Sequence, residues 1–88
     1  MPWVYMIKNK GDRIYVGVSK RPAERLREHN RKLGSNFTKS NPSFRIVFTE
    51  EYPDFLSARK REVQLKKWSR AKKEVLAKKY AQGLETKI

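Results

Sequence analysis

The sequence has no cysteine and only one histidine, His29. The first absence excludes disulfides, zinc–thiolate sites and thiol nucleophiles. A chain without thiols is compatible with the cytoplasm, and that is the compartment we expect. Acidic residues are also scarce: 9 Asp and Glu stand against 22 Lys and Arg, for a formal net charge of +13. Such an excess opposes compaction by self-repulsion and draws polyanions. Each neutralised phosphate releases counterions, so nucleic acid is the first partner indicated. A solubilising coat, or a structural place in an RNA particle, is the blander reading of the same composition, and the charge favours a nucleic-acid partner over it. No glycine-rich phosphate loop, internal repeat or low-complexity linker is present. The short apolar stretch Trp3–Ile7 falls far below a membrane span or a signal-peptide core. At 88 residues and 38% hydrophobic, the chain has room for one domain with a modest core, one sheet covered by helices.

What is present has a clear order. Trp3-Val4-Tyr5-Met6-Ile7 and Arg13-Ile14-Tyr15-Val16-Gly17-Val18 are rich in aromatic and β-branched residues, with Asn9-Lys10-Gly11-Asp12 between them. That pattern predicts a β-hairpin. A three-residue connection, Lys10-Gly11-Asp12, would put Tyr5 and Tyr15 on one face. Pro22 suits the first position of a helix and Gly34 the residue past its end, with Ala23, Leu26, Asn30 and Leu33 as its apolar stripe. A polar loop follows, marked by Asn41-Pro42, and then a third strand over Phe44 to Glu51. Asp54 is placed to cap a helix from about Phe55 to Trp68, and Ser69 a last helix reaching about Tyr80 and ending near Gly83. The order is β-β-α-β-α-α. Residues 1–82 make the domain and 83–88 its tail, of which Glu85 to Ile88 we expect to fray.

Three features of this pattern carry chemistry. Phe55, Ala58, Glu62 and Leu65 form one stripe along the second helix, so a carboxylate stands in an apolar row. A buried carboxylate needs a cation or a metal. Arg59 and Lys66 lie one turn to either side and would pair with it on the helix surface just as well. Arg25 and His29 sit one turn apart at the rim of the first helix, beside Leu26. Tyr5 and Tyr15 stand on the sheet, where tyrosines most often pack.

Taken together, these residues resemble the GIY-YIG nuclease family. Val4-Tyr5-Met6 is similar to its GIY element and Tyr15-Val16-Gly17 to its YIG element. Arg25-Leu26-Arg27-Glu28-His29 resembles the helix that follows, and Arg61-Glu62 the later metal-binding glutamate. The likeness spans nearly the whole chain and is closest to small single-domain bacterial members. It implies an α/β fold of the α+β type, a three-stranded antiparallel sheet flanked by helices. It implies that Glu62 holds one divalent cation, Mg²⁺ or Mn²⁺, largely hydrated. Arg25 would bind the scissile phosphate, Tyr15 or Tyr5 would take the proton of the attacking water, and His29 would orient or relay it. Gly17 would leave the backbone open to the phosphate. Lys20, Arg21, Lys39, Lys72 and Lys73 are further candidates for nucleic-acid contact.

Three departures stand out. Only the tyrosine of the GIY triplet is kept, Val18 follows Gly17 where some relatives have lysine, and no Asn follows Asn41. The resemblance implies an endonuclease acting on DNA, more than RNA, with low sequence specificity, as a monomer or weak homodimer. Repair or recombination intermediates are the natural substrates. The missing Asn motivates the alternative: the same fold holding nucleic acid while cutting it feebly or not at all.

Overall fold

The computed structural model describes residues 1–11, 13–33 and 44–87. Its elements are β1 (Trp3–Lys8), β2 (Ile14–Ser19), α1 (Pro22–Leu33), β3 (Arg45–Glu51), α2 (Phe55–Lys66) and α3 (Arg70–Ala81), in the expected order. The strands form one antiparallel sheet with β1 in the centre, ordered β2-β1-β3. Asn9 N–H donates to the Arg13 carbonyl at 3.1 Å. The Asn9 side-chain carbonyl accepts from Arg13 N–H at 2.9 Å, within the five-residue connection between Lys8 and Ile14. Tyr5 therefore pairs with Gly17 and Ile7 with Tyr15. An odd connection of this kind puts both tyrosines on the same face, as the spacing predicts.

Because side chains alternate along β1, its two faces build two cores. Val4 and Met6 join Phe48, Ala58, Leu65 and Leu76, so α2 and α3 cover that side. Tyr5 and Ile7 join Phe44 and the half-buried Leu26, so α1 covers the other. Phe48, Met6, Leu65 and Val4 are the largest side chains fully withdrawn from water. Each contributes on the order of 1.5–3 kcal/mol by burial.

Local chemistry sets the ends. The Asp54 carboxylate accepts from Ser57 N–H at 2.7 Å and starts α2. Ser69 Oγ accepts from Lys72 N–H at 3.2 Å and starts α3. Gly83, at φ 73°, closes α3. There Gly83 N–H reaches the Tyr80 carbonyl at 3.1 Å and Leu84 N–H that of Lys79 at 2.9 Å, a Schellman arrangement that only glycine adopts without strain.

Four expectations change. Helix α2 stops at Lys66, two residues short of Trp68, because Lys67 and Trp68 turn their N–H groups back onto the last turn. Phe55 is exposed, since it opens the helix beyond the sheet edge; the inward row is Ala58, Glu62 and Leu65, with Arg61 beside it. Ala23 is exposed as well, so the stripe of α1 begins at Leu26. The tail is also tied down: the Thr86 carbonyl accepts from Arg61 at 2.8 Å and Lys87 Nζ donates to the Glu51 carbonyl at 2.7 Å. Gly34, Lys39 and Asn41-Pro42 lie outside the described residues.

A buried ion pair holds α2 to the edge strand. Arg61 Nε donates to Glu50 Oε1 at 3.0 Å, and neither side chain is more than 6% exposed. Its remaining nitrogens reach Gln64 and Thr86, while Tyr52 Oη donates to Glu50 Oε1 at 2.9 Å. Every acceptor of this cluster is used, which offsets the desolvation of two charges. Arg61→Ala leaves Glu50 buried without its cation, and we expect a loss of about 3–5 kcal/mol in urea unfolding. Burial, then the hydrogen bond to Glu50 and its negative charge, push the Tyr52 phenol up to about 12. An unfolded chain releases that proton near pH 10. The stabilisation is therefore complete below about pH 10 and lost as pH climbs through about 12. Alkaline unfolding of Tyr52→Phe should lack that component of the wild-type pH dependence.

Candidate active-site cleft

A cleft of about 210 Å³ opens where α1 crosses the hairpin, and Tyr5, Tyr15, Arg25 and His29 line it together with Ile7, Val16 and Leu26. Four of the sequence-predicted site residues thus meet in one place, from three different elements. Strand alternation sends both tyrosines toward α1, and the i, i+4 spacing of Arg25 and His29 places both on the helix edge that faces them.

The two tyrosines are held differently. Tyr5 is buried and lies across Gly17, where a Cβ would come within 2.6 Å of its hydroxyl. Glycine at 17 therefore makes room for the Tyr5 ring itself, a closer reason than the open approach for phosphate expected from the sequence. Tyr15 is 45% exposed. Its hydroxyl accepts from Arg13 Nη1 at 3.3 Å. The Tyr15 ring stands 5.8 Å from His29 and 5.3 Å from Phe44, and His29 meets Phe44 edge-on at 4.7 Å. This aromatic triangle fixes the phenol and the imidazole relative to one another, since tilted and edge-on rings resist sliding. Arg25 is exposed, 3.3 Å from Glu28 on the same helix, and a phosphate could replace so weak a surface partner.

Three contributors escaped the sequence reading. Arg13 carries the donor to Tyr15. Phe44 closes the triangle and lies just outside the third strand. Asn30 takes Phe44 in both directions, its side-chain carbonyl accepting Phe44 N–H at 2.9 Å and its amide donating to the Phe44 carbonyl at 3.1 Å. The one available signal was a polar residue in the apolar stripe of α1, since a half-buried amide at such a place needs partners.

Glu62 lies elsewhere. It is 8% exposed on the inner row of α2, and it is not among the residues lining the cleft. Its two oxygens meet Arg59 Nε at 3.4 Å and Lys66 Nζ at 3.3 Å. Burial and helix-surface pairing, offered by the sequence as alternatives, occur together. Among the described residues no group of three or more His, Asp or Glu converges on a metal-sized position. A single carboxylate still suits Mg²⁺, which keeps most of its waters and takes substrate phosphate as a ligand. Arg59 and Lys66 are the exposed partners that would swing aside.

The remaining basic candidates divide. Lys20 and Arg21 lie with Arg25 along a shallow hollow at the start of α1, Lys20 5.6 Å from the Phe55 ring and Arg21 3.5 Å from Glu24. Lys72 sits 4.3 Å over the Trp68 ring. Lys73 lines a groove on the opposite face of the sheet, next to Met6 and Lys8. Those two are therefore not cleft residues, because α3 covers the face that α1 does not. No described helix is long and apolar enough to cross a membrane.

Adding a methyl group at position 17 tests the geometry directly. Gly17→Ala should push the Tyr5 ring from its place, lowering stability by about 1–3 kcal/mol and altering the near-ultraviolet circular dichroism of the tyrosines.

Comparison with known proteins shows the family. The model of the GIY-YIG catalytic domain matches residues 1–75. UPF0213 proteins of Staphylococcus aureus strains Mu50 and N315 are 34% identical over 71 residues, covering 81% of this chain and 87% of theirs. The solution NMR structure of a UPF0213 protein from Bacillus halodurans is 30% identical, with a TM-score of 0.55, covering 89% of this chain and 84% of that one. The chain belongs to the GIY-YIG catalytic domain family, and membership implies a nuclease-type function on a nucleic-acid substrate.

Proposed function

We propose that this protein is a cytoplasmic endonuclease that hydrolyses phosphodiester bonds of DNA, with Mg²⁺ or Mn²⁺ and little sequence specificity. Residues 1–82 are the catalytic unit, acting as a monomer or weak homodimer on repair or recombination intermediates. The observation that carries this reading is the convergence of Tyr5, Tyr15, Arg25 and His29 on one small cleft in a chain of net charge +13.

Each residue has a part that its surroundings support. Arg25 donates to the non-bridging oxygens of the scissile phosphate and stabilises charge as water adds to phosphorus. The exposed Tyr15 is the better placed base: as the phenolate, its own proton released to solvent beforehand, it takes the water proton, with the Arg13 guanidinium beside its oxygen and the His29 ring packed alongside. Tyr5, buried over Gly17, orients the sheet floor of the cleft. The phosphorus–oxygen bond opposite the water breaks, giving a phosphate monoester and an alcohol. Glu62 is the residue that would hold the divalent cation, and the cation would supply positive charge to the reacting phosphate. Gly17, Lys20 and Arg21 border the path of the substrate backbone, Lys20 and Arg21 from beside Arg25. Lys39, Lys72 and Lys73 serve as outlying phosphate contacts.

The ion pairs on both oxygens of Glu62 favour a second reading, a nucleic-acid binder that cuts feebly or not at all. One assay separates the two. Labelled single-stranded, duplex and branched DNA, and RNA, are incubated with Mg²⁺ or with EDTA, using wild type and Glu62→Gln. Metal-dependent cleavage by wild type, reduced at least on the order of a hundredfold in the variant with binding retained, is the expected outcome. Tight, salt-sensitive binding with no cutting of any substrate by wild type would leave only the binder.

A further inference from the structure

The sheet face opposite the cleft is not fully covered. Between the open ends of the strands and α3 runs a groove of about 590 Å³, floored by Met6, Ile14, Val47 and Ala77. Its volume falls in the range of ligand sites, as does its largely apolar lining. Lys8, Arg45, Lys73 and Lys78 stand around it. Lys8 is held by Glu74 at 3.0 Å. Arg45, Lys73 and Lys78 have no ion-pair partner among the described residues. Tyr80, 39% exposed, closes one side and is fixed by its hydroxyl to Thr49 Oγ1 at 2.9 Å and by its ring to Phe48.

An apolar trough under three unpaired cations suits a chain that alternates anionic links with flat apolar faces. Single-stranded nucleic acid has that chemistry: phosphates meet Lys and Arg, and unpaired bases lie on apolar and aromatic surface. Duplex does not, because its base faces are already stacked. Lys73 and Lys78 both line the groove from α3, and Arg45 lines it from β3. Position favours the same occupant. Ile7 and Tyr15 of the cleft alternate with Lys8 and Ile14 of the groove, so the two lie back to back at one end of the sheet. The exposed Lys10 and Arg13 stand at the hairpin that joins them.

We propose that this groove is a second nucleic-acid site that holds an unpaired single strand continuing from the cleft around the β1–β2 hairpin. The proposal rests on the nucleic-acid reading of the cleft and deepens it: substrates with a single-stranded arm would be preferred over plain duplex.

Binding is measured in EDTA by fluorescence anisotropy, with a labelled pyrimidine single strand and the same sequence as duplex. Wild type is compared with Arg45→Ala/Lys78→Ala and with a charge-matched control on α2 and its C-cap, Lys60→Ala/Lys67→Ala, all four positions being exposed. At about 0.15 M salt, losing two phosphate contacts weakens single-strand binding on the order of tenfold in the groove variant. The control should change distinctly less, and duplex binding should shift equally in both. A halogenated pyrimidine in the strand should photo-crosslink to α3 of wild type. Equal losses in the two variants, or crosslinks confined to β2 and α1, would overturn the proposal. So would a groove that instead takes an acidic peptide, or a second copy, seen as dimer dissociation in the groove variant by sedimentation. Cleavage plays no part in these measurements. Intact metal-dependent cutting without groove-dependent binding removes the second site alone, and groove-dependent binding without cutting removes the nuclease alone.

Discussion

Burial of β1 on both faces is the constraint on which the rest of this fold depends. A central strand six residues long must serve two cores at once, so its side chains divide by parity. Val4 and Met6 commit one face to α2 and α3, and Tyr5 and Ile7 commit the other to α1. The parity passes to β2 through the hairpin pairing of Ile7 with Tyr15. A shift of one residue would carry Tyr15 away from Tyr5 and dissolve the cleft, because register and side-chain face are inseparable in a strand. Packing and chemistry are thus specified by the same few pairings.

The second organising feature is the adjacency of Arg61 and Glu62 on α2. Neighbours on a helix point about 100° apart, so they serve different surroundings. Arg61 turns to the edge strand and the tail, where Glu50, Tyr52, Gln64 and Thr86 satisfy it. Glu62 turns inward beside Ala58 and Leu65, its oxygens reached by cations one turn away on each side. The buried pair of Arg61 with Glu50 fixes the rotation of α2 and, with it, where Glu62 faces. The contrast with Arg25 is instructive: a cation tied only to a surface carboxylate is available to a phosphate, whereas one buried in a satisfied network is not.

Charge is distributed in keeping with this division. Some acidic residues are spent on pairs within one helix, as with Glu24 and Glu28, while Glu74 reaches both Arg70 and the distant Lys8. The excess of cations remains on the surface around the cleft, over the hairpin and along α3. A net charge of +13 on so small a body strains the fold by self-repulsion, and a polyanion relieves that strain.

Much of this was legible in the residues themselves. Alternation marked the strands, Asp54, Ser69 and Gly83 marked helix ends, and the spacing of Tyr5, Tyr15, Arg25 and His29 pointed to their meeting in one cleft, because these are local rules of side-chain periodicity and backbone capping. The inward place of Glu62 could be read as well, from its row with Ala58 and Leu65. Tertiary structure alone decided that Tyr5 fills the space over Gly17, that Arg13 and Phe44 hold Tyr15 and His29, and that Asn30 seats Phe44. It alone decided that Lys73 faces the far side of the sheet and that Thr86 is bound to Arg61. Each of these joins residues distant along the chain. Their meeting depends on how helices cross the sheet and which polar groups burial leaves in need of a partner, and no pattern within one segment encodes that.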